Sequence, residues 1–280
     1  MIRKTAVAGS WYPDNPTRLA VELDLYLNDA TVERPSPPPR ALISPHAGLT
    51  YSGPVAAFAY KLLHGRSYRA IVLVGPSHFL PFRGVSIWPA GQWQTPFGPV
   101  DVDATLAHAI RAECVDILEL PAAHGREHSL EMQLPFIAHL LPGVPIVPLV
   151  MGHQTREAAF ELGNGLADAI RSTAHDPNDS NDPSVLLIAS SDLSHYESAD
   201  VASRMDAVMA RHVEALDPEG LMTELEREPR HACGGGPMVA VLQAARRLGA
   251  SQARVLRYAD SGDVSGDKAS VVGYLAAAAF

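Results

Sequence analysis

Histidines follow three short apolar runs of this 280-residue chain, and each run has the composition of a buried strand. In an α/β sheet, ligands bind in the crevice beyond the carboxyl ends of parallel strands, so side chains that follow neighbouring strands meet there. We therefore expect these histidines and a nearby aspartate to line one pocket, which we interpret as the functional site. The side chains concerned are His46 after residues 41–44, His78 after residues 71–74, and Asp192 and His195 after residues 185–189.

Two imidazoles need a third donor to hold a divalent metal ion well, and the sequence offers two candidates. With His46 and His78, Asp192 would complete the two-histidine, one-carboxylate arrangement of non-haem iron(II) oxygenases. Cys233 is the alternative, because it precedes a glycine-rich helix start where backbone dipoles favour a thiolate. A thiolate would suit iron(II), copper(I) or zinc better than magnesium. The residues alone leave the choice between Asp192 and Cys233 open.

Other residues of these loops could handle protons. His128 is a candidate for an acid/base group or for a direct metal ligand. Asp192 and His195 lie three apart in one loop and could form a proton-transferring pair, although this serine-rich loop would also suit helix capping. His124 and His128 are four apart, but Glu127 stands at the wrong position for the zinc-peptidase motif H-E-x-x-H. A zinc peptidase is therefore not expected.

The elements that would position these residues alternate between apolar strands and amphipathic helices. This order predicts an α/β fold, a single three-layer α/β/α domain over residues 1–280 with a central, mostly parallel, mixed sheet. A helix with Pro54 in its first turn is expected between the first two histidine-bearing strands. Residues 83–103 predict a β-hairpin excursion over the pocket. The proline-rich residues 35–39 predict a connector and the polar residues 176–183 a solvated loop.

Composition narrows the class of protein. The net charge is −9 at pH 7 and no stretch concentrates lysine and arginine, so nucleic acid binding is not expected. Apolar residues make up 47% of the chain, enough for a folded core, but no run approaches a membrane span. The first residues lack the apolar stretch of a signal peptide. With only Cys114 and Cys233, we predict a reduced, cytoplasmic protein without a disulfide framework, in which Cys114 packs in a helix.

Eight short stretches, spread in order over nearly the whole chain, carry a family resemblance: Ala8-Gly9-Ser10-Trp11-Tyr12, Pro45-His46-Ala47-Gly48, Tyr51-Ser52-Gly53, Gly75-Pro76-Ser77-His78, Thr95-Pro96-Phe97-Gly98, Glu127-His128-Ser129-Leu130-Glu131, Ser190-Ser191-Asp192-Leu193-Ser194-His195 and Cys233-Gly234. Together they resemble the MEMO family, the MEMO1-like proteins that include protein B of the AmmeMemoRadiSam set. The resemblance implies a fold like that of the class III extradiol dioxygenases. It also implies one pocket, built from the positions of His46, His78, Asp192, His195 and Cys233.

In eukaryotic relatives a reduced metal, iron or copper, is associated with two histidines and the cysteine, which implies His46, His78 and Cys233 as ligands here. The dioxygenases that share the fold use a carboxylate where this family has the cysteine, so their ring-cleaving activity is not carried over. Relatives are also described as phosphopeptide-binding adaptors and as redox proteins. Shorter members are expected to be encoded near a radical-SAM enzyme, which implies a functional link to such an enzyme.

Three functions follow as hypotheses. The first is a metalloprotein with iron or copper at His46, His78 and Cys233, surrounded by Asp192 and the other pocket histidines, and with oxidative chemistry on an unknown substrate. The second is a binding module that holds a peptide or small molecule in the same pocket without turnover. The third is a zinc-dependent hydrolase. The sequence leaves open whether the protein is an enzyme, which substrate it takes and how many copies associate.

Overall fold

Apolar and β-branched runs form the strands of the protein, as their composition predicts. The structure, a computed structural model, describes residues 1–35, 37–174 and 185–280. Its strands are β1 (Ile2–Arg3), β2 (Ala41–Ser44), β3 (Ala70–Pro76), β4 (Val85–Ile87), β5 (Gln92–Thr95), β6 (Gly98–Asp101), β7 (Ile117–Leu118), β8 (Ile146–Met151), β9 (Val185–Ser190), β10 (His195–Glu197), β11 (Ala253–Asp260) and β12 (Val271–Ala279).

The helices follow the segments with an apolar stripe. Three short 3₁₀ turns add to them at Lys61–Leu63, Glu131–Gln133 and Pro229–His231. Within the described ranges, no helix combines the length and apolar character needed to cross a bilayer. The helices are α1 (Pro16–Asp29), α2 (Leu49–Tyr60), α3 (Ala104–Glu113), α4 (Pro121–Gly125), α5 (Leu134–Leu140), α6 (Arg156–Ser172), α7 (Ala199–Glu214), α8 (Pro218–Arg227), α9 (Gly235–Arg247) and α10 (Gly262–Ser265).

A nine-stranded mixed sheet forms the centre of the fold. Its strands lie in the order β10-β12-β2-β9-β3-β8-β4-β7, and β11 pairs with β12. The central strands β2, β9, β3 and β8 are parallel, whereas β12 and β4 run antiparallel to the strands they flank. A separate three-stranded sheet has the order β1-β5-β6. The predicted α/β class with a mixed sheet, parallel at its centre, is confirmed.

Both faces of the central sheet are buried, because successive side chains of a strand point to opposite sides. In β9, Leu186 and Ile188 pack in one apolar core, while Val185, Leu187 and Ala189 pack in the other. The first core is closed by α1, α2 and α5 and the second by α3, α6, α7, α8 and α9. Parallel strands that are covered on both faces leave only their ends accessible, which is where loops can form a site.

Two details differ from the predictions. Pro54 lies in the interior of α2 and not in its first turn, because the helix begins at Leu49. The carbonyl that lacks a partner as a result belongs to Thr50, which is exposed to water. Of the predicted connector 35–39, the described residues 35 and 37–39 contain no helix or strand. Ser36 and the predicted loop 176–183 lie outside the described residues.

The predicted hairpin exists, and it packs against β1 and the segment around His124. β5 and β6 form an antiparallel pair that extends β1, whereas β4 joins the central sheet next to β8. Trp93 of the hairpin is fully buried, and its ring centroid lies 5.8 Å from that of His124. The hairpin therefore supports the segment around His124 from behind, because its large aromatic side chain is packed into the core.

Candidate metal centre

The loops that carry His46, His78 and Asp192 open side by side because β9 lies between β2 and β3. Each of these residues comes two positions after the last residue of its strand. β2 and β9 also end level with each other, since Ser44 lies opposite Ser190 in the parallel register. The structure thus brings these loops to one edge of the sheet, as their position after neighbouring strands predicted.

Three imidazoles gather at this edge. One ring nitrogen from each of His46, His78 and His128 lies within 4.8 Å of the other two. The ring centroids are 5.2 Å apart for His46 and His78, 5.6 Å for His46 and His128, and 4.6 Å for His78 and His128. We call these three side chains the imidazole cluster. Converging imidazole nitrogens are donors that suit zinc, iron and copper.

The ring of His46 is oriented by Ser190 at the end of β9. The Nδ1 atom of His46 lies 2.9 Å from the Ser190 hydroxyl. That hydroxyl donates to the carbonyl of Ser129 at 2.6 Å and accepts from the side-chain amide of Gln133 at 2.7 Å. Ser190 can therefore only accept from His46, whose proton must lie on Nδ1. The Nε2 lone pair of His46 is left for the pocket.

The ring of His78 is oriented by Glu127, which the sequence analysis did not assign to the site. The buried carboxylate accepts from His78 Nδ1 at 2.9 Å and from the His78 amide at 2.6 Å. It also accepts from the amides of His128 and Ser129, each at 2.9 Å. Burial would raise the pKa of Glu127, but the hydrogen bonds that it accepts from His78 and Ser129 lower it to about 2. An ionised carboxylate only accepts, so Nε2 of His78 also keeps its lone pair.

His128 comes from an irregular segment and not from a strand end. It precedes the 3₁₀ turn at Glu131–Gln133, and the next regular helix, α5, begins at Leu134. The Nδ1 atom of His128 lies 3.7 Å from Glu127 Oε1. The rings of Trp11 and Phe79 pack against it, with centroids 4.4 and 5.9 Å away. Contacts from several parts of the chain therefore hold the third imidazole in place.

His46 and His128, the two buried members of the imidazole cluster, are neutral at pH 7. Burial, together with the nearby His78, lowers the pKa of His46 to about 3. Burial and the neighbouring His46 likewise lower the pKa of His128 to about 4. Neutral imidazole is the form that binds a metal ion, because a proton and a metal compete for the same lone pair. The donors present therefore fit a transition-metal ion.

Cys233 lies beside this cluster on the loop that leads into α9. Its Sγ atom is 3.2 Å from Nε2 of His46. The expected thiolate is not the form the structure favours without a metal, because burial and the charge of Asp192 raise the pKa of the thiol. This desolvation outweighs the dipole of α9, which begins two residues later at Gly235. A cation at His46 would reverse the balance, since a coordinated thiol loses its proton.

Asp192 and His195 form another wall of the pocket. The buried Asp192 carboxylate accepts from the His46 amide at 2.7 Å. Burial raises the pKa of Asp192, while the bond from His46 and the charge of His195 oppose that rise. His195 begins β10, and its Nδ1 lies 2.9 Å from the carbonyl of Leu193. Asp192 and His195 are close enough to interact electrostatically, but among the described residues no hydrogen bond joins them.

A cavity of 490 Å³ lies behind the Cys233 loop and not over the imidazole cluster. Met222 and Leu225 provide part of its apolar wall, and Gln154 and Ala232 also line it. The Gln154 side chain donates to the Cys233 carbonyl at 2.7 Å and accepts from the Gly236 amide at 2.7 Å. Gln154 therefore anchors the backbone on both sides of Gly234, at Cys233 and at Gly236.

The fold and the site define an α/β protein with an imidazole cluster beyond the carboxyl ends of its central parallel strands. A family described as Memo-like protein matches residues 3–278 of this chain. A MEMO1 family protein of Methanothermobacter thermautotrophicus is 38% identical to it, with 98% of this chain and 99% of the relative covered. Relatives of the same description come from Sulfolobus acidocaldarius, 40% identical with 98% of each chain covered, and from Thermotoga petrophila, 36% identical with 100% of each covered. The chain belongs to the Memo-like family, as the eight stretches predicted.

Proposed function

We propose that this protein binds a redox-active transition metal, iron or copper, at the imidazole cluster, with Cys233 as an added soft donor. The observation that carries the proposal is the convergence of three ring nitrogens within 4.8 Å. For His46 and His78, the nitrogen that faces away is already hydrogen-bonded, in one case to a serine and in the other to a glutamate. Metal-binding histidines are supported in this way, because the second bond fixes both tautomer and orientation.

Cys233 supports iron or copper over a harder metal. Its sulfur lies 3.2 Å from the free nitrogen of His46, so sulfur and nitrogen donors are available together. Magnesium prefers oxygen donors, whereas mixed nitrogen and sulfur donors suit iron and copper. A metal of this kind would supply electron transfer to or from dioxygen or reactive oxygen species. We therefore propose an oxidoreductase that acts on a small substrate.

The residues around the cluster would bind and move protons. Burial raises the pKa of Asp192, so this carboxyl group can take up a proton beside the backbone of His46 more readily than an exposed aspartate can. His195 donates from Nδ1 to a backbone carbonyl and so keeps Nε2 as a proton acceptor. His128 is the third candidate, because its ring reaches both other imidazoles. We assign proton transfer at the pocket wall to Asp192 and His195. We assign metal binding and an acid/base role to His128.

A zinc-dependent hydrolase is the second candidate, and the imidazole cluster itself favours it. Three histidines with one open position are the donor set of some catalytic zinc sites. In that case Cys233 would remain a protonated neighbour of His46, as its raised pKa allows. A module that binds a peptide or small molecule without turnover would need no metal.

The test is elemental analysis with EPR on protein purified anaerobically and without chelator. Stoichiometric iron or copper that changes oxidation state reversibly is the expected result. Stoichiometric zinc under the same conditions would favour the hydrolase. A chain that stays free of metal after iron(II) and copper(I) are supplied would overturn both and leave the binding module. His46→Ala should lose the metal. His108→Ala is the matched control and should keep it, because His108 is exposed on α3, outside the cluster.

We also propose a cytoplasmic setting and a functional link to a radical-SAM enzyme. Support for the setting comes from the two cysteines, which are both free and are not paired with each other. The link rests on family resemblance alone. Affinity purification of the full chain from its own cytosol tests both, and recovery without any radical-SAM enzyme would count against the link.

A further inference from the structure

One buried carboxylate outside the imidazole cluster accepts hydrogen bonds from four groups of a single stretch of chain. Glu131 is fully buried, and both of its oxygens accept from donors within residues 3–12. We call residues 3–12 the N-terminal segment. The donors are the guanidinium of Arg3, the amide of Ala6 at 2.7 Å, the amide of Val7 at 3.0 Å and the hydroxyl of Tyr12 at 2.8 Å.

Arg3 extends this attachment along the chain that carries His128. Its guanidinium donates to the carbonyl of Glu127 at 2.5 Å and to the carbonyl of His124 at 3.2 Å. Arg3 is itself buried, and the guanidinium lies 4.5 Å from the ring centroid of Trp93. The N-terminal segment is therefore bound to residues 124–131 through charged groups that water does not reach.

Trp11 brings the N-terminal segment to the cluster. Its amide donates to the carbonyl of Val7 at 2.9 Å, so the turn that carries Trp11 starts from a residue bound to Glu131. The Trp11 carbonyl accepts from the amide of Leu49 at 2.8 Å, three residues after His46. The Trp11 ring lies 4.4 Å from the ring of His128. Trp11 thus contacts His128 and is also bonded to the loop that carries His46.

We propose that Glu131 is a positioning residue of the metal centre. It holds the N-terminal segment so that Trp11 keeps the His128 ring facing the other two imidazoles, and this role rests on the function proposed above. An ionised carboxylate is needed because all four partners are donors, and a glutamine would turn two of its hydrogens toward them. A buried ion pair is by itself weak evidence for stability, so its position beside the site is the significant fact.

The test compares Glu131→Gln with the wild-type full chain by acrylamide quenching of tryptophan fluorescence and by cobalt(II) binding. Trp11 is 37% exposed, Trp88 5% and Trp93 0%, so quenching reports mainly on Trp11. We expect stronger quenching in the variant and cobalt(II) affinity lower by about tenfold, as for other residues that orient a metal ligand. Leu166→Ala is the control, because Leu166 is buried in the core on the opposite face of the sheet and its loss should move neither readout.

A double variant separates positioning from general destabilisation. If Glu131 acts through His128, Glu131→Gln should add little to the loss of cobalt(II) affinity caused by His128→Ala. Additive losses, or wild-type quenching and affinity in Glu131→Gln, would overturn the proposal. If Glu131→Gln does not fold, Tyr12→Phe removes a single donor and should raise quenching by a smaller amount. If the wild-type chain binds neither cobalt(II), iron(II) nor copper(I), the proposed function fails, while quenching still tests the attachment of Trp11.

Discussion

The two sides of the imidazole cluster are built differently. His46 and His78 stand two residues beyond the ends of parallel central strands, whose hydrogen-bonded register fixes where those loops begin. His128 and Cys233 come from segments outside the strands, and side-chain contacts fix them. His128 contacts Glu127 and the distant Trp11, and Cys233 is bonded to the distant Gln154. A ligand on a strand end obtains its position from the backbone of the sheet. A ligand on an irregular segment depends on side chains that must be placed first.

Even the strand-end side needs support for its rings, although not for its backbone. Ser190 orients the His46 ring and belongs to the neighbouring strand, so the sheet supplies this contact as well. Glu127 orients the His78 ring, and it belongs to the irregular segment that also carries His128. The difference suggests that His46 is the least dependent member of the cluster and His128 the most dependent.

The largest effect is expected from removing a strand-end ligand. His46→Ala and His78→Ala should each abolish metal binding, because two remaining imidazoles hold a divalent ion poorly. Folding should survive at a cost of about 1–2 kcal/mol, since these side chains follow the strands and do not form the apolar cores. Elemental analysis and thermal melts of both variants provide the measurement. Full metal retention in both variants would remove the site from this edge of the sheet.

Glu127→Gln tests whether the strand-end side depends on the irregular segment. We expect metal affinity to fall by about 10–100-fold, because the variant no longer fixes the tautomer of His78. The free energy of unfolding should fall by about 1–3 kcal/mol, because a buried acceptor of several hydrogen bonds is lost. Titration with cobalt(II) and urea unfolding measure the two effects. Glu22→Gln is the control, since Glu22 lies on α1, outside the cluster, and accepts from the Tyr26 hydroxyl. Equal affinity in both variants would contradict the dependence.

Acid should destabilise the metal-free protein through the cluster. The pKa values of His46 and His128 are lowered to about 3 and about 4, so the unfolded chain takes up these protons first as pH falls. Their contribution to stability is complete above pH 6.5 and should be lost below it, at about 1.4 kcal/mol per pH unit for each histidine. Urea unfolding of apoprotein between pH 7 and pH 4.5 measures the slope. It should be shallower in His46→Gln, and an unchanged slope would mean that the cluster is already charged when folded.

The smallest change in metal affinity is expected from replacing Cys233, and this change best distinguishes a soft metal from a hard one. Cys233→Ser should weaken copper(I) binding by about tenfold, and more than Asp192→Asn does, because sulfur is the softer donor. Competition with a copper(I) chelator measures both affinities. Cys114→Ser is the control, since burial raises the pKa of the Cys114 thiol to about 12 and the residue lies in the core next to Gly165. The reverse order of Cys233 and Asp192 would identify a carboxylate site and restore the oxygenase hypothesis.

The strand-end side is also the part of the site that could be predicted from the sequence. Apolar runs predicted β2, β3 and β9, and the residues that follow them predicted where His46, His78 and Asp192 would meet. Each of these inferences uses only consecutive residues and the general rule for parallel sheets.

The other side could not be predicted in the same way. Glu127 was set aside because it does not fit a zinc-peptidase motif, and its contact with His78 spans 49 positions of the chain. The bond between Arg3 and Glu131 spans 128 positions. The prediction that Pro54 lies in the first turn of α2 was wrong, and burial of Cys233 opposes the thiolate that the nearby helix start favoured, because tertiary packing and burial outweigh a local signal.

By itself, the sequence determined the α/β class, the apolar strands and the presence of histidines at their ends, because hydrophobic periodicity depends only on residues that are close together in the chain. Only the tertiary structure decided that β9 separates β2 from β3, that His128 joins the cluster, that Glu127 bonds to His78 and that Glu131 bonds to the N-terminal segment. The physical reason is that a buried polar group must find a partner wherever the packed chain provides one. No local pattern specifies that partner.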